Sequence, residues 1–401
     1  MKTVKKNSIF LLCSLLVAFL GLLKSLFFAK NLNFENLGLL ALFQSAMALF
    51  STFHFGILTG GYRLACYYNE AEYEKLNSVV FAVLFFLLPI FILILKLVEI
   101  TGLISNVNHI TYLALIAGFI TWFSNWAINV SIARENLSSV NTAQILGVVF
   151  SLFFLPMVFS HGIYAAYFSV IIQPLIIVLF LAVNTSYTLP RKINFDIEFI
   201  KKILRAGFFP FLAGLFFISY QQLEKIFIGY ALGVEYLGHL TIYYLALTVW
   251  IIIPDALTRI YYPKATKFYE LNNIADYRTV MNQHLLIVIL YSLVCSFFLY
   301  FFSGPIVLFF LDAHVDFVVF VQFGAIAFTL RSISDSFSIR LLAKGKNPQV
   351  FFSDLSSFIF YLFLIIVAFK FFGLSLIGFV VFSILYYLFK LFTLSYYCFR
   401  Y

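Results

Sequence analysis

The sequence predicts an all-α polytopic membrane protein, with about 12 transmembrane helices in two parallel six-helix lobes, and three observations carry that reading. Hydrophobic residues make up 63% of the 401 and charged residues only 11%, a balance that no soluble domain of this length could cover with a polar surface. The apolar residues fall in charge-poor runs of about 20, the length that crosses a bilayer's hydrocarbon core. A gap-free internal similarity then pairs the first half of the chain with the second.

The runs follow one another between charged or turn-forming residues. Asn7 to Ala29 comes after Lys2, Lys5 and Lys6; it lacks a small-residue cleavage site and reads as a retained first helix, not a signal peptide. Leu37 to Gly60, Ser78 to Val98 and Tyr112 to Ile132 are next. Thr142 to Phe159 and Ile163 to Val183 complete the first six. The second six are Ala206 to Ala231, Leu237 to Ile260, His284 to Phe302, Phe317 to Ile339, Val350 to Phe369 and Leu374 to Phe392. Each is too long and too uniformly apolar for the alternating strand of a membrane β-barrel.

Orientation follows from the lysines and arginines, which concentrate in cytoplasmic loops. With the N-terminus inside, almost all of the 26 fall on one side, while the other holds only Lys30, Lys96 and Lys370, and Lys24 and Lys225 lie within spans. Both termini are then expected in the cytoplasm. The same topology accounts for the net charge of +9 without a nucleic-acid partner. Cys13, Cys66, Cys295 and Cys398 lack paired spacing, so free thiols and no metal site are expected.

The longest polar stretch, Asn184 to Arg205, divides the chain into expected lobes 1–183 and 206–401 around a linker, 184–205. Ile193, Ile197, Ile200 and Leu204 recur there at helical spacing beside Arg191, Lys192, Lys201, Lys202 and Arg205. That is the pattern of a helix lying in the cytoplasmic interface.

The two lobes align most clearly where Phe28-Ala-Lys-Asn-Leu-Asn-Phe-Glu-Asn-Leu-Gly-Leu-Leu meets Ile228-Gly-Tyr-Ala-Leu-Gly-Val-Glu-Tyr-Leu-Gly-His-Leu. Leu32, Glu35, Leu37, Gly38 and Leu40 match Leu232, Glu235, Leu237, Gly238 and Leu240, and the register continues through Tyr62 with Tyr262 to Glu70 with Glu270. An even number of spans per copy makes the repeats parallel, about an axis along the membrane normal.

Ionisable groups inside spans cost several kcal/mol unless they face protein or water, so each is a candidate site. In the repeat register Lys24 corresponds to Glu224, which precedes Lys225. Two placements are open for the lysines: lining a central cleft, or snorkelling to the outer interface. Glu224, with its shorter stem, is expected to face a cavity. Asp255 and Arg259 follow Pro254 at i,i+4 spacing, and Arg331 and Asp335 repeat that spacing. These pairs either fix helix geometry or offer cations to a cytoplasmic vestibule suited to phosphate. His54 is a candidate proton carrier; Gln44, Asn125, Asn129 and Gln173 are read first as interhelical hydrogen-bonding groups. No phosphate-binding glycine loop, HExxH or nucleophile elbow occurs, so neither ATP-driven transport nor an enzyme is expected.

The acid-base pair Glu224-Lys225, a short apolar run, Leu232-Gly-Val-Glu-Tyr-Leu-Gly238 and a helix ending in Arg259-Ile-Tyr-Tyr-Pro263 resemble the O-antigen flippase (Wzx) family. That family lies within the multidrug/oligosaccharidyl-lipid/polysaccharide exporter superfamily. Its members usually carry Asp where this chain has Glu224, and Tyr where it has His239. The resemblance implies a MATE-like fold in a bacterial inner membrane. It also implies flipping of undecaprenyl-pyrophosphate-linked O-antigen units to the periplasmic leaflet by alternating access, coupled to a proton or sodium gradient and without a bound cofactor. Lys24, Lys225, Arg259 and Arg331 would meet the substrate; Glu224, Asp255, Asp335 and His54 would bind the ion or hold those cations. Expected partners are the lipid-linked oligosaccharide, membrane lipid, an O-antigen polymerase and a chain-length regulator, with no nucleic acid. Two rivals stand beside this. An O-antigen polymerase should carry a large Arg-bearing periplasmic loop, and a drug/cation antiporter should carry acids deep in the first lobe.

Overall fold

The computed structural model describes residues 2–66, 68–101, 109–371 and 373–400, leaving aside the side chains of 2–8, 10, 11, 98, 259, 260, 263 and 270. Its α-helices are α1 (Lys2–Asn31), α2 (Phe34–Thr52), α3 (Ile57–Ala65), α4 (Glu70–Thr101), α5 (His109–Ala133), α6 (Leu137–Phe153), α7 (Val158–His161) and α8 (Ile163–Asn184). They continue as α9 (Ile197–Ala231), α10 (Val234–His239), α11 (Thr241–Glu270), α12 (Ile274–Phe310), α13 (Val318–Ala343), α14 (Asn347–Phe371) and α15 (Leu376–Arg400). Twelve segments among the described residues are long and apolar enough to span a membrane. The chain is an all-α polytopic membrane protein, as its hydropathy predicts.

Helix starts are written in polar residues. Asn69 Oδ1 accepts from the Glu72 amide while Glu72 Oε2 accepts from the Asn69 amide, a reciprocal cap that opens α4. Asn33, Asn136, Asp196 and Asn273 each cap the helix that follows by accepting one backbone amide on a side-chain oxygen.

Two elements depart from expectation. The span read as continuous from Leu37 to Gly60 breaks after Thr52, with Phe55 and Gly56 at φ 50° and 87°. The cause is close packing: a Cβ on Gly60 would overlap the Ile203 carbonyl, and one on Gly207 would overlap that of Gly56. Thus α3 lies backbone to backbone on the start of α9. The second departure is the linker. Ile193 is not helical, and the turn containing Ile197, Ile200 and Leu204 is the first part of α9 itself. The segment before it is pinned to α4: Tyr73 Oη and Asn77 Nδ2 donate to the Tyr187 carbonyl at 2.7 and 3.0 Å. Lys75 pairs with Asp196 at 2.7 Å, which holds the Asp196 carboxyl below the usual carboxylate range. The bonds from Tyr73 and Asn77 satisfy the Tyr187 carbonyl outside any helix, and Asn77 also reaches the Thr188 carbonyl at 3.3 Å.

The residues form two compact units. One comprises Met1–Lys24 and Leu40–Gln222, the other Ser25–Leu39 and Leu223–Tyr401, so α1, α2 and α9 each contribute to both. The first is centred on Trp122 and Trp126, packed with Leu76, Val80, Leu84 and Ile203. Both indoles are satisfied, Trp122 Nε1 by the Ser51 carbonyl and Trp126 Nε1 by Asn77 Oδ1, each at 2.8 Å. In the second, α13 packs against α11, α12 and α15. Trp250 lies against Phe328, and its Nε1 donates to Ser332 Oγ at 2.9 Å.

The repeat has a physical counterpart inside the second unit. A Cβ on Gly38 would overlap the Val234 carbonyl, and a Cβ on Gly238 would overlap the Phe34 carbonyl. Since Phe34 and Gly38 are register-equivalent to Val234 and Gly238, the contact is reciprocal, the same patch meeting itself about a local two-fold. The two Leu-Gly motifs match because each glycine admits the other copy's backbone.

Candidate functional site

Lys24 and Glu224 are both deeply buried, but each within its own unit.

In the first unit, Lys24 is 7% exposed, and its Nζ donates to Gln173 Oε1 at 3.1 Å and Ser151 Oγ at 3.3 Å. Gly147 lets α6 and α8 come close enough to present those acceptors together, since a Cβ there would lie 2.9 Å from the Gln173 carbonyl. Ser169 Oγ adds a bond to the Ser151 carbonyl. Among the described residues no carboxylate lies within ion-pair distance of Lys24. The ammonium is therefore solvated by neutral oxygens alone, an arrangement that costs several kcal/mol and favours the approach of an anion.

In the second unit, the Glu224 carboxylate is 5% exposed and ringed by hydroxyls. Ser383 Oγ donates to it at 2.7 Å, Tyr361 Oη at 3.2 Å and Tyr244 Oη at 3.3 Å. Lys225, next in sequence, lies against Tyr244, one of the tyrosines that donate to Glu224. Its Nζ lies 4.6 Å from the centre of the Tyr244 ring. A buried carboxylate among hydroxyls can take up a proton or a monovalent cation, because the hydroxyls supply oxygen ligands without adding charge.

Arg331 and Asp335 lie on α13 with Nε and Oδ2 3.7 Å apart. Lys390 of α15 approaches Asp335 Oδ1 at 3.6 Å and Asp354 Oδ1 of α14 at 2.8 Å. Lys390, counted by its position among the cytoplasmic cations, is in fact 2% exposed inside the helix bundle. Asp354 falls inside an apolar run, which is the signal that would have singled it out, and Lys390 falls near the end of the next. The hydroxyls around Glu224 had no such signal, since Tyr and Ser are common in spans.

Asp255 is exposed on α11, and the Arg259 side chain expected to pair with it lies outside the described residues. His54 sits in the break between α2 and α3. Its Nδ1 accepts from the Gly56 amide at 3.2 Å and its ring packs 5.5 Å from Phe211. The imidazole thus acts as a cap on the turn.

No protein-family model matches the sequence, and no curated protein matches it either. Solved structures do. An inward-facing multidrug resistance MATE family transporter of the MOP superfamily superposes with a TM-score of 0.73 at 15% identity, over 96% of this chain and 97% of that one. An outward-facing structure of a MATE family transporter gives 0.64 at 16% identity, over 99% and 95%. A MOP superfamily transporter from Pyrococcus furiosus, for which reverse polarity of the binding pocket suggests a different function, gives 0.64 at 17% identity over 98% and 95%. Over nearly its whole length this chain has the fold of the MATE transporter structures.

Proposed function

We propose that this protein is a secondary transporter that flips an anionic, lipid-linked oligosaccharide across a bacterial inner membrane by alternating access, with both termini cytoplasmic. The O-antigen unit on undecaprenyl pyrophosphate is the substrate suggested by the Glu224 to Pro263 motif. Lys24 carries the reading. A drug/cation antiporter needs an acid deep in the first lobe, whereas the buried ionisable residue described there is a lysine on Ser151 and Gln173. Lys24 and Arg331 are assigned to the pyrophosphate and Glu224 to the coupling proton or sodium ion. An O-antigen polymerase and a chain-length regulator would act on the product.

The test is translocation of a fluorescent lipid-linked oligosaccharide in proteoliposomes, with and without a proton or sodium gradient. Gradient-dependent flipping is the expected result, and its loss in Lys24→Gln ties it to the site. In cells, absence of the protein should trap lipid-linked units on the inner face. Single units on lipopolysaccharide would instead indicate a polymerase and defeat the proposal.

A further inference from the structure

Arg331, Asp335, Asp354 and Lys390, four charges that come together from α13, α14 and α15, are not held alike. Lys390 and Asp354 are 2% and 4% exposed and meet at 2.8 Å, the distance of a charge-assisted hydrogen bond. Asp335 is different. Its side chain is 37% exposed, and its two oxygens stand 3.7 Å from Arg331 Nε and 3.6 Å from Lys390 Nζ, beyond hydrogen-bond reach. The carboxylate is therefore held between two cations by their field, and it can leave without breaking a hydrogen bond to either.

With Asp335 in place the four formal charges cancel. With its carboxylate swung outward, Arg331, Lys390 and Asp354 leave one net positive charge where Asp335 reached the surface. One cation is a forked guanidinium and the other a compact ammonium, from two different helices, a pairing that suits a group with several anionic oxygens.

We infer that Asp335 is a built-in stand-in for a phosphate: it occupies an anion site between Arg331 and Lys390 and yields that site to a phosphate or diphosphate group. This rests on the proposed function for the ligand class alone; the geometry of the site is independent of it. The device gives the unloaded protein a neutral, stable bundle. It also requires an incoming anion to outcompete a tethered carboxylate, which admits a diphosphate more readily than a singly charged group.

The experiment measures equilibrium binding to the full chain in detergent micelles, using inorganic pyrophosphate and a short-chain isoprenyl diphosphate as probes. Asp335→Asn removes the competitor and should tighten binding on the order of tenfold. Adding Arg331→Gln to that variant should abolish the gain. So should adding the Lys390→Gln/Asp354→Asn double change, which removes the second cation while leaving no bare carboxylate behind. Asp335→Ser, at an exposed position, serves if Asp335→Asn is not monodisperse. A gain for the isoprenyl probe alone assigns the site to a lipid headgroup, and a gain for both assigns it to diphosphate from either source. No gain for either probe, or a gain that survives Arg331→Gln, overturns the inference. If the wild-type protein flips no lipid-linked oligosaccharide while Asp335→Asn still binds pyrophosphate more tightly, the proposed function fails and the anion site stands.

Discussion

Removing Lys390 should destabilise the second unit more than removing Asp354, although the two form one ion pair. At 2.8 Å their gross attraction is ~6 kcal/mol for an effective dielectric constant of about 20. Most of that offsets desolvation, and deleting one partner of a buried pair typically costs about 3–5 kcal/mol through the charge left behind. The network makes the two deletions unequal. In Asp354→Leu, Lys390 keeps Asp335 at 3.6 Å, a gross attraction of ~5 kcal/mol on the same scale. In Lys390→Met, Asp354 loses its 2.8 Å partner while Asp335 keeps Arg331 at 3.7 Å. We expect a loss of about 3–5 kcal/mol for Lys390→Met and roughly half that for Asp354→Leu. The Lys390→Met/Asp354→Leu double variant should recover much of the loss, because no isolated charge then remains from the pair. The assay is a double-mutant cycle read as the fraction remaining folded and monodisperse in detergent after graded heating. A double variant no better than Lys390→Met, or Asp354→Leu the worse single change, would refute the reasoning.

Four further outcomes follow from the site and the fold. Lys24→Ala and Arg331→Ala should each abolish surface O-antigen while the protein still inserts normally, and wild-type glycan in both would remove these cations from the substrate path. Glu224→Gln should uncouple flipping from the ion gradient, and Ser383→Ala, which removes its 2.7 Å donor, should weaken the coupling; gradient dependence in proteoliposomes is the readout. Gly38→Leu or Gly238→Leu drives a side chain into the opposite repeat's backbone and should cost at least about 1–3 kcal/mol, measured as loss of folded yield, with Gly214→Leu, where a Cβ meets open space, as the neutral control. The Asp196 carboxyl is held low by Lys75, so the pair's contribution is present above the ordinary aspartate range and is lost as pH falls through the depressed value. Limited proteolysis of 185–196 should rise on acidification, and Asp196→Asn should remove that pH dependence.

Much of the architecture is legible because lipid is an unforgiving solvent. A span must be apolar over its whole length, so hydropathy finds twelve long apolar helices, although helices such as Ile274–Phe310 and Ile197–Ala231 run well past the apolar stretches that mark them. What pattern reading misses is set by contacts between segments remote in sequence. The break at 53–56 answers to glycines at 60 and 207, and no window on the second span contains both. The linker reads as an amphipathic helix because Ile193 keeps the period, while its backbone is claimed by Tyr73 and Asn77 of α4. At the site, Lys24, Glu224, Arg331 and Asp335 are found from the cost of charge in a span. Lys390 is not, because two residues before a predicted end looks like a snorkelling position until α14 brings Asp354 beneath it.

The internal similarity relates two of the buried charges to one another. In the repeat register position 24 of one copy corresponds to position 224 of the other, and Gly38 and Gly238 pack on each other's backbone inside the second unit. At the level of sequence these are a lysine and a glutamate. Had both copies kept one sign, the chain would carry two sites of one kind. The signs are opposite here: Lys24 donates to Gln173 and Ser151, oxygens that leave it open to an anion, and Glu224 accepts from Ser383, Tyr361 and Tyr244, hydroxyls that suit a proton or cation. The proposed movement of a polyanionic headgroup with an ion gradient calls for both chemistries. Exchanging the residues tests this directly. Lys24→Glu with Glu224→Lys preserves net charge and helix register but puts the ammonium among Tyr244, Tyr361 and Ser383, hydroxyls that can accept from it as well as donate. Retained flipping in the swapped protein would show that only the presence of both charges matters. Its loss, with folded yield preserved, is the outcome the two separate oxygen cages require.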